Sequence, residues 1–230
     1  MKQVYLLVEG PTEVTFVDKV LTPHLSGLAL TPIRVTTRAG GAQPKKGGSV
    51  TYASFKKQIQ MLLRNPTASM VTTMLDYQGL HKEFPGREGR TENSARAKGE
   101  AVASAMQADI SDARYTPFVI MHEFEALLFS VPEVIAEVLR RPELVQPLKA
   151  IRASKSDYVA TPEEINDSAA TSPSARIEAL CLQKFGSKNV FQKTAHGPLI
   201  AEKIGLTTIR DHCPHFDNWL QKLEALAASS

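Results

Sequence analysis

Residues 3–11, Gln-Val-Tyr-Leu-Leu-Val-Glu-Gly-Pro, decide the fold. Residues 3–8 form an apolar run with β-branched and aromatic members and no helical period, and they stop at a Glu-Gly-Pro boundary, as a buried strand of a parallel sheet does. Pro11 suits the first position of a helix, and Val14, Val17, Val20 and Leu21 recur at helical spacing until Pro23, where the helix is expected to break. A strand therefore feeds a helix through a tight turn. The alternation repeats downstream. Residues 33–37 read as strand, Phe55, Ile59, Leu62 and Leu63 as one helix face, and residues 70–75 as strand. Ala97, Ala101 and Ala105 read as a small-residue helix face, residues 118–121 as a fourth strand, and residues 123–129 as helix behind it. This predicts an α/β fold, a mostly parallel sheet flanked by helices, over residues 1–131. From Pro132 the signals are helical only, at 162–167, 173–185, 200–204 and 216–226, which predicts a C-terminal helical extension, 132–230, packed on the first domain.

With 230 residues, 43% of them hydrophobic and 22% charged, the chain can bury a sizeable core, which excludes an intrinsically disordered protein. It has no run of 18 apolar residues and no small-residue cleavage site after its first strand, so a soluble, cytoplasmic protein without a membrane partner is expected. Cys181 and Cys213 are too few and too far apart for a disulfide framework or a zinc ribbon. Net charge is only +3, but it is segregated. No acid lies between Asp18 and Asp76, where Lys19, Arg34, Arg38, Lys45, Lys46, Lys56, Lys57 and Arg64 give +8 and leave −5 for the rest. Such a segment either grips a polyanion, nucleic acid above all, or is a solvated basic surface. Two long loops, 39–49 and 78–91, are candidates for function.

Ligands of open α/β sheets bind outside the carboxyl ends of the strands. The first strand ends in Glu9, the third in Asp76, and the fourth in His122-Glu123 with Glu125 just beyond, while Gly10 and Gly79 permit close approach. Hard oxygen ligands converging on one edge suit Mg²⁺ or Mn²⁺, and a metal held there can polarise a phosphoryl oxygen and activate water. Each acid also has a local reading: Glu9 as a cap of the next helix, Glu13 as a first-turn acid favoured by the helix dipole, Asp76 as a turn former, and His122 or Glu123 as a local cap. The segment GGAQPKKGGS is not a P-loop, no G-x-G-x-x-G or G-x-S-x-G occurs, and His212-Cys213-Pro214-His215 lacks a fourth ligand at metal-site spacing.

The motif VEGPTE, residues 8–13, resembles the opening of TOPRIM domains, the metal-dependent fold of topoisomerases, primases and OLD-type nucleases. Together with TTMLDYQGL, HEFEALLFS, PEEIND, SPSARI and CPHFDNWL, it makes nearly the whole chain similar to the bacterial family called domain of unknown function 4276. The resemblance implies a TOPRIM-like fold and a Mg²⁺- or Mn²⁺-dependent nuclease, working in an anti-phage defence system with an ATPase encoded nearby. Carried over, Glu9 takes the place of the first-strand glutamate, as general acid/base or ligand, and Asp76 that of the first aspartate of D-x-D. Gln78 replaces the second aspartate, so Glu123 or Glu125 has to substitute for it, or activity is lost. The implied catalytic set is Glu9, Asp76 and Glu123, and the metal set adds Glu13 and Glu125. Arg34, Arg38, Lys45, Lys46, Lys56, Lys57, Arg176 and Lys193 are the expected nucleic-acid contacts, with His196 and Arg210 in similar surroundings. The other reading is a non-enzymatic sensor or regulatory subunit of an ATPase complex.

Overall fold

A computed structural model describes residues 1–36, 50–88, 94–153, 161–166 and 169–229. Its sheet consists of β1 (Lys2–Val8), β2 (Leu28–Arg34), β3 (Ala68–Asp76), β4 (Tyr115–Thr116) and β5 (Val119–Ile120). The order is β2-β1-β3-β4, β5 pairs with the end of β3, and every pairing is parallel. The chain leaves β1 through α1 (Pro11–Phe16), a π-helical turn (Val17–Leu21) and α2 (Thr22–His24) to reach β2 on one side. It then passes through α3 (Tyr52–Leu63) to β3 on the other side of β1, and through α4 (Ala95–Ile110) to β4.

Strand periodicity divides the core in two. Val4, Leu6 and Val8 of β1 face Phe16, Val17 and Leu21, whereas Leu7 packs with Val71 and Leu75 against Phe55, Ile59, Val102 and Met106 of α3 and α4. The connection after β1 thus runs over one face and those after β2 and β3 over the other. The point where the strand order reverses lies between the carboxyl ends of β1 and β3, the usual ligand crevice of doubly wound sheets.

The second half adds α5 (Pro132–Val138), α6 (Val145–Ala153), α7 (Pro173–Phe185), α8 (Lys193–Ile204), α9 (Leu206–His212) and α10 (Pro214–Ala228). Ile135, Leu148, Ile177, Ile200, Phe216 and Leu220 from these helices share one buried cluster with Val4, Leu6 and Val8. Trp219 of α10 stacks on Phe118 at 4.7 Å and 13°, and its Nε1–H donates to Thr72 Oγ1 of β3 at 2.8 Å. Among the described residues no helix is long and apolar enough to cross a membrane.

Several boundaries differ from expectation. β2 starts at Leu28, earlier than residue 33, and runs through Pro32 because it is an edge strand whose outer side needs no N–H. The first helix continues past Pro23, the wider π turn just before it absorbing the missing hydrogen bond. The helix expected over 123–129 is a 3₁₀ helix (Phe124–Ser130), and of the described residues 162–166 only Pro162–Glu164 is helical, as a single 3₁₀ turn. The end of the expected strand at Thr37 and the loop 39–49 lie outside the described residues.

Candidate active site

β1 and β3 run side by side in register, Val8 opposite Met74, so that Glu9 and Asp76 emerge together at the switch point. The Asp76 N–H donates to Glu9 Oε2 at 3.3 Å. Gly79, in the 3₁₀ turn Tyr77–Gly79, lies so close that a Cβ there would stand 2.9 Å from Glu9 Oε1. On the other side the Gly10 N–H donates to Glu13 Oε2 at 2.7 Å, so the carboxylate reaches back to the residue that opens α1.

The remaining two carboxylates, Glu123 and Glu125, arrive from the end of β5. After Ile120 the chain turns sharply at His122, whose φ of +41° is a strained value for a side chain with a Cβ. The His122 carbonyl accepts the Gln78 N–H at 3.1 Å, tying this turn to the one after β3. The Phe124 N–H then donates to Asp76 Oδ1 at 3.1 Å. Glu123 Oε2 accepts the Ser174 N–H, at the start of α7, at 3.1 Å, and Glu125 is buried in the 3₁₀ helix behind it. Lys193, at the start of α8, reaches both acids, with Nζ 3.3 Å from Glu123 Oε1 and 3.5 Å from Glu125 Oε2.

Five carboxylates around one lysine cannot all hold their charge easily. Burial pushes the Asp76 carboxyl well above its ordinary range, and repulsion from Glu9, Glu13, Glu125 and Glu123 adds to it. Part of the Glu9 side chain meets solvent, yet loss of water around its carboxylate raises its pKa, with Glu13 and Glu123 adding repulsion against the Asp76 N–H and Lys193. Glu13 is raised by burial, opposed by backbone N–H groups, Lys193 and Arg34. Burial lifts Glu125 to about 7 even with Lys193 beside it. Glu123 alone goes down: burial works against its charge, but the hydrogen bonds at Ser174 and the Lys193 ammonium outweigh that. Lys193 is held above its ordinary value because these acids overcome its own desolvation.

The expected acids thus share one edge, and the charge of each of the other four is felt at Asp76. Among the described residues, however, no three His, Cys, Asp or Glu side chains gather their donors tightly enough to enclose a metal ion as they stand. The backbone bonds above engage Glu9 Oε2 and Asp76 Oδ1, and Glu9 Oε1 and Asp76 Oδ2 accept no hydrogen bond among the described residues. Gln78 turns its Oε1 to the Asn166 amide at 3.3 Å.

The basic residues scatter more. Arg34 is exposed at the carboxyl end of β2, beside Val8, and its charge is felt at Glu13. Lys57 is exposed on α3, whereas Lys56 pairs with Asp109 at 2.7 Å. Arg176 Nε–H donates to the Thr171 carbonyl at 2.6 Å. The His196 ring accepts the Gln192 N–H, and Arg210 bridges Asp217 and Glu224. Arg38, Lys45 and Lys46 lie outside the described residues. His212, Cys213 and His215 do not assemble: Cys213 Sγ lies 3.5 Å from Ser130 Oγ, and His212 Nδ1 bonds to the Thr208 carbonyl.

Ser174 and Asn166 were not foreseen as site residues. The Ser-Pro-Ser sequence at 172–174 carries a signal for Ser174, because it marks a helix start whose N–H groups look for an acceptor. The model of the family described as Domain of unknown function (DUF4276) matches residues 8–224. The chain belongs to the DUF4276 family. No curated protein and no solved structure matches it. The segments VEGPTE, HEFEALLFS and SPSARI of this DUF4276 protein meet at the carboxylate edge, whereas PEEIND divides: Asn166 bonds Gln78 beside that edge, and Glu163 turns to CPHFDNWL, accepting the His215 and Phe216 N–H groups at 3.0 and 2.9 Å.

Proposed function

We propose that this protein is a Mg²⁺- or Mn²⁺-dependent nuclease whose site is the carboxylate edge at the ends of β1, β3 and β5. The observation that carries the reading is the convergence of Glu9 and Asp76 at the switch point of the sheet, with Glu123 and Glu125 arriving from the neighbouring strand. Hard oxygens, mutual repulsion that a cation relieves, and a solvent-open Glu9 fit a divalent ion. Mg²⁺ commonly takes only one or two protein carboxylates and completes its shell with water and substrate phosphate, so an enclosed cage of three acids is not required. Glu9 and Asp76 would hold the ion through the oxygens left free of backbone bonds. An ion held there would polarise a phosphoryl oxygen and activate water. Glu9, the most exposed acid, would serve either as that ligand or as the base that takes the proton of the attacking water, and Asp76 is fixed by the Phe124 N–H. Lys193 orients Glu123 and Glu125 and balances their charge, and exposed Arg34 beside the edge offers a contact for a nucleic-acid backbone. The reading includes a defence setting with an ATPase partner.

A second reading, a regulatory subunit without catalysis, is favoured by the position of Lys193: an ammonium already neutralises the two acids that would replace the missing aspartate at Gln78. Glu9→Gln separates the two. Mn²⁺-dependent cleavage of DNA or RNA, assayed with and without the neighbouring ATPase, should fall at least roughly 100-fold, about 2.7 kcal/mol, while melting is unchanged or slightly higher. A wild type that cuts nothing under either condition moves the account to the regulatory reading.

A further inference from the structure

The carboxylate edge divides into two unlike halves. On the β1–β3 side Glu9 Oε1 and Asp76 Oδ2 accept no hydrogen bond among the described residues. On the β5 side both oxygens of Glu123 are engaged, Oε1 by the Lys193 ammonium at 3.3 Å and Oε2 by the Ser174 N–H at 3.1 Å. Glu125 Oε2 lies 3.5 Å from the same ammonium, and its side chain is only 3% exposed. Gln78, where a further carboxylate would have stood, keeps its Oε1 on the Asn166 amide. The groups that would have to hold an ion on this side are therefore already bound to the protein itself.

Packing puts the ammonium there. Lys193 opens α8, and Gly197, one turn further on the same side of the helix, is buried. A Cβ at Gly197 would stand 3.2 Å from Thr12 Cγ2 and 3.4 Å from Phe124 Cε1. The missing side chain lets α8 press against α1 and against the 3₁₀ helix that carries Glu125, which holds the start of α8 over the acids. Glu125, Glu123 and Asp76 in turn keep the lysine protonated, above its ordinary value.

We propose that Lys193 is a built-in cation standing where a second metal ion would bind, so that the edge accepts a single divalent ion, on its β1–β3 side. A second ion between Glu123 and Glu125 would first have to expel the ammonium, which has three donors and two acids to meet them. The first ion rests on the metal reading above. The exclusion of the second follows from Lys193 and is tested separately.

Counting bound ions needs no cleavage assay. Mn²⁺ is titrated to about 10 mM at about pH 8 into wild type, Lys193→Met, Lys193→Arg and Lys193→Met/Glu125→Gln, and the free ion is followed by its paramagnetic resonance signal. Lys193→Met should bind one ion more per chain than wild type, with a Kd of about 1 mM or tighter, and Lys193→Arg, which keeps the charge, no more than wild type. In the double variant the extra ion should bind at least roughly tenfold more weakly. A wild type that binds no ion removes the nuclease reading, yet a gain from none to one in Lys193→Met still supports the built-in cation. Two ions on wild type at this affinity, a count that needs no variant to fold, overturn the inference. So do equal counts in wild type and Lys193→Met, a gain in Lys193→Arg, or an extra ion that Glu125→Gln leaves untouched.

Discussion

Glu125 and Glu163 are both almost fully buried, and burial raises both to about 7, yet they are held by opposite kinds of neighbour. Glu163 meets backbone: its two oxygens accept the His215 and Phe216 N–H groups and so close the start of α10. Next to it Glu164 accepts the Ala95 N–H at 3.0 Å, at the start of α4. One short 3₁₀ turn thus fastens two helices on opposite faces of the sheet. Glu125 instead faces other acids, Glu123 and Glu13, and is compensated chiefly by Lys193, with a smaller contribution from its own backbone N–H. A raised pKa therefore does not by itself mark a functional carboxylate. The identity of the partners does, because backbone donors satisfy an acid permanently, whereas acids facing acids leave charge for a cation to neutralise.

The largest effect expected from this contrast is on stability. Glu163→Ala orphans two N–H groups at the start of α10 and empties a buried space, at a cost of about 3 kcal/mol in denaturant unfolding, with Mn²⁺ affinity unchanged in the folded fraction. A stable Glu163→Ala protein would remove the structural half of the comparison.

The pH dependence comes next. Both glutamates have folded pKa values above the ordinary 4.5, so the stability each contributes is fully present below that value and is lost as pH rises through about 7. Glu125→Gln and Glu163→Gln should each flatten the decline in stability between about pH 5 and pH 8, by on the order of 2 kcal/mol. Only Glu125→Gln should also change the extent to which Mn²⁺ restores stability at the alkaline end. Equal Mn²⁺ responses in the two variants would erase the distinction.

Lys193→Met sharpens the same point. Breaking a buried ion pair costs about 3–5 kcal/mol, but the Lys193 side chain is 38% exposed, so a loss of about 1–2 kcal/mol is expected near pH 8. Without the ammonium the folded pKa of Glu125 rises further, so the loss should disappear as pH falls below the ordinary carboxylate value; a loss that is equal at both pH values would mean that Lys193 acts by packing. The smallest effect is that of Gly79→Ala. Its Cβ, 2.9 Å from Glu9 Oε1, displaces that carboxylate, with a stability change of about 1 kcal/mol and weaker Mn²⁺ binding.

The part of this contrast that could be read from the sequence follows from local pattern. Parallel strands end at one edge, so three apolar runs closing on Glu9, Asp76 and Glu123 were enough to bring the acids together. β4 escaped notice because two residues carry no period, and its pairing with Val71 and Thr72 is a property of the assembled sheet. Pro32 hid the first half of β2, since a proline is acceptable there only once the strand is known to be at an edge. Lys193 was legible as a cation but not as the counter-ion of Glu123 and Glu125, because α8 reaches the site only by packing in three dimensions. The PEEIND segment looked helical, yet the acids in it serve the first turns of two helices far away in sequence, which no local signal reveals.

The central claim, that the acids at the ends of β1 and β3 await a divalent cation, is tested most directly by calorimetric titration of Mn²⁺ into wild type and Asp76→Asn at equal pH. The account predicts saturable binding by wild type, accompanied by proton release because the ion displaces protons from carboxyls with raised pKa, and at least roughly tenfold weaker binding by Asp76→Asn, which without metal should be no less stable. Absence of Mn²⁺ binding in the wild type, or equal binding by both proteins, would contradict it.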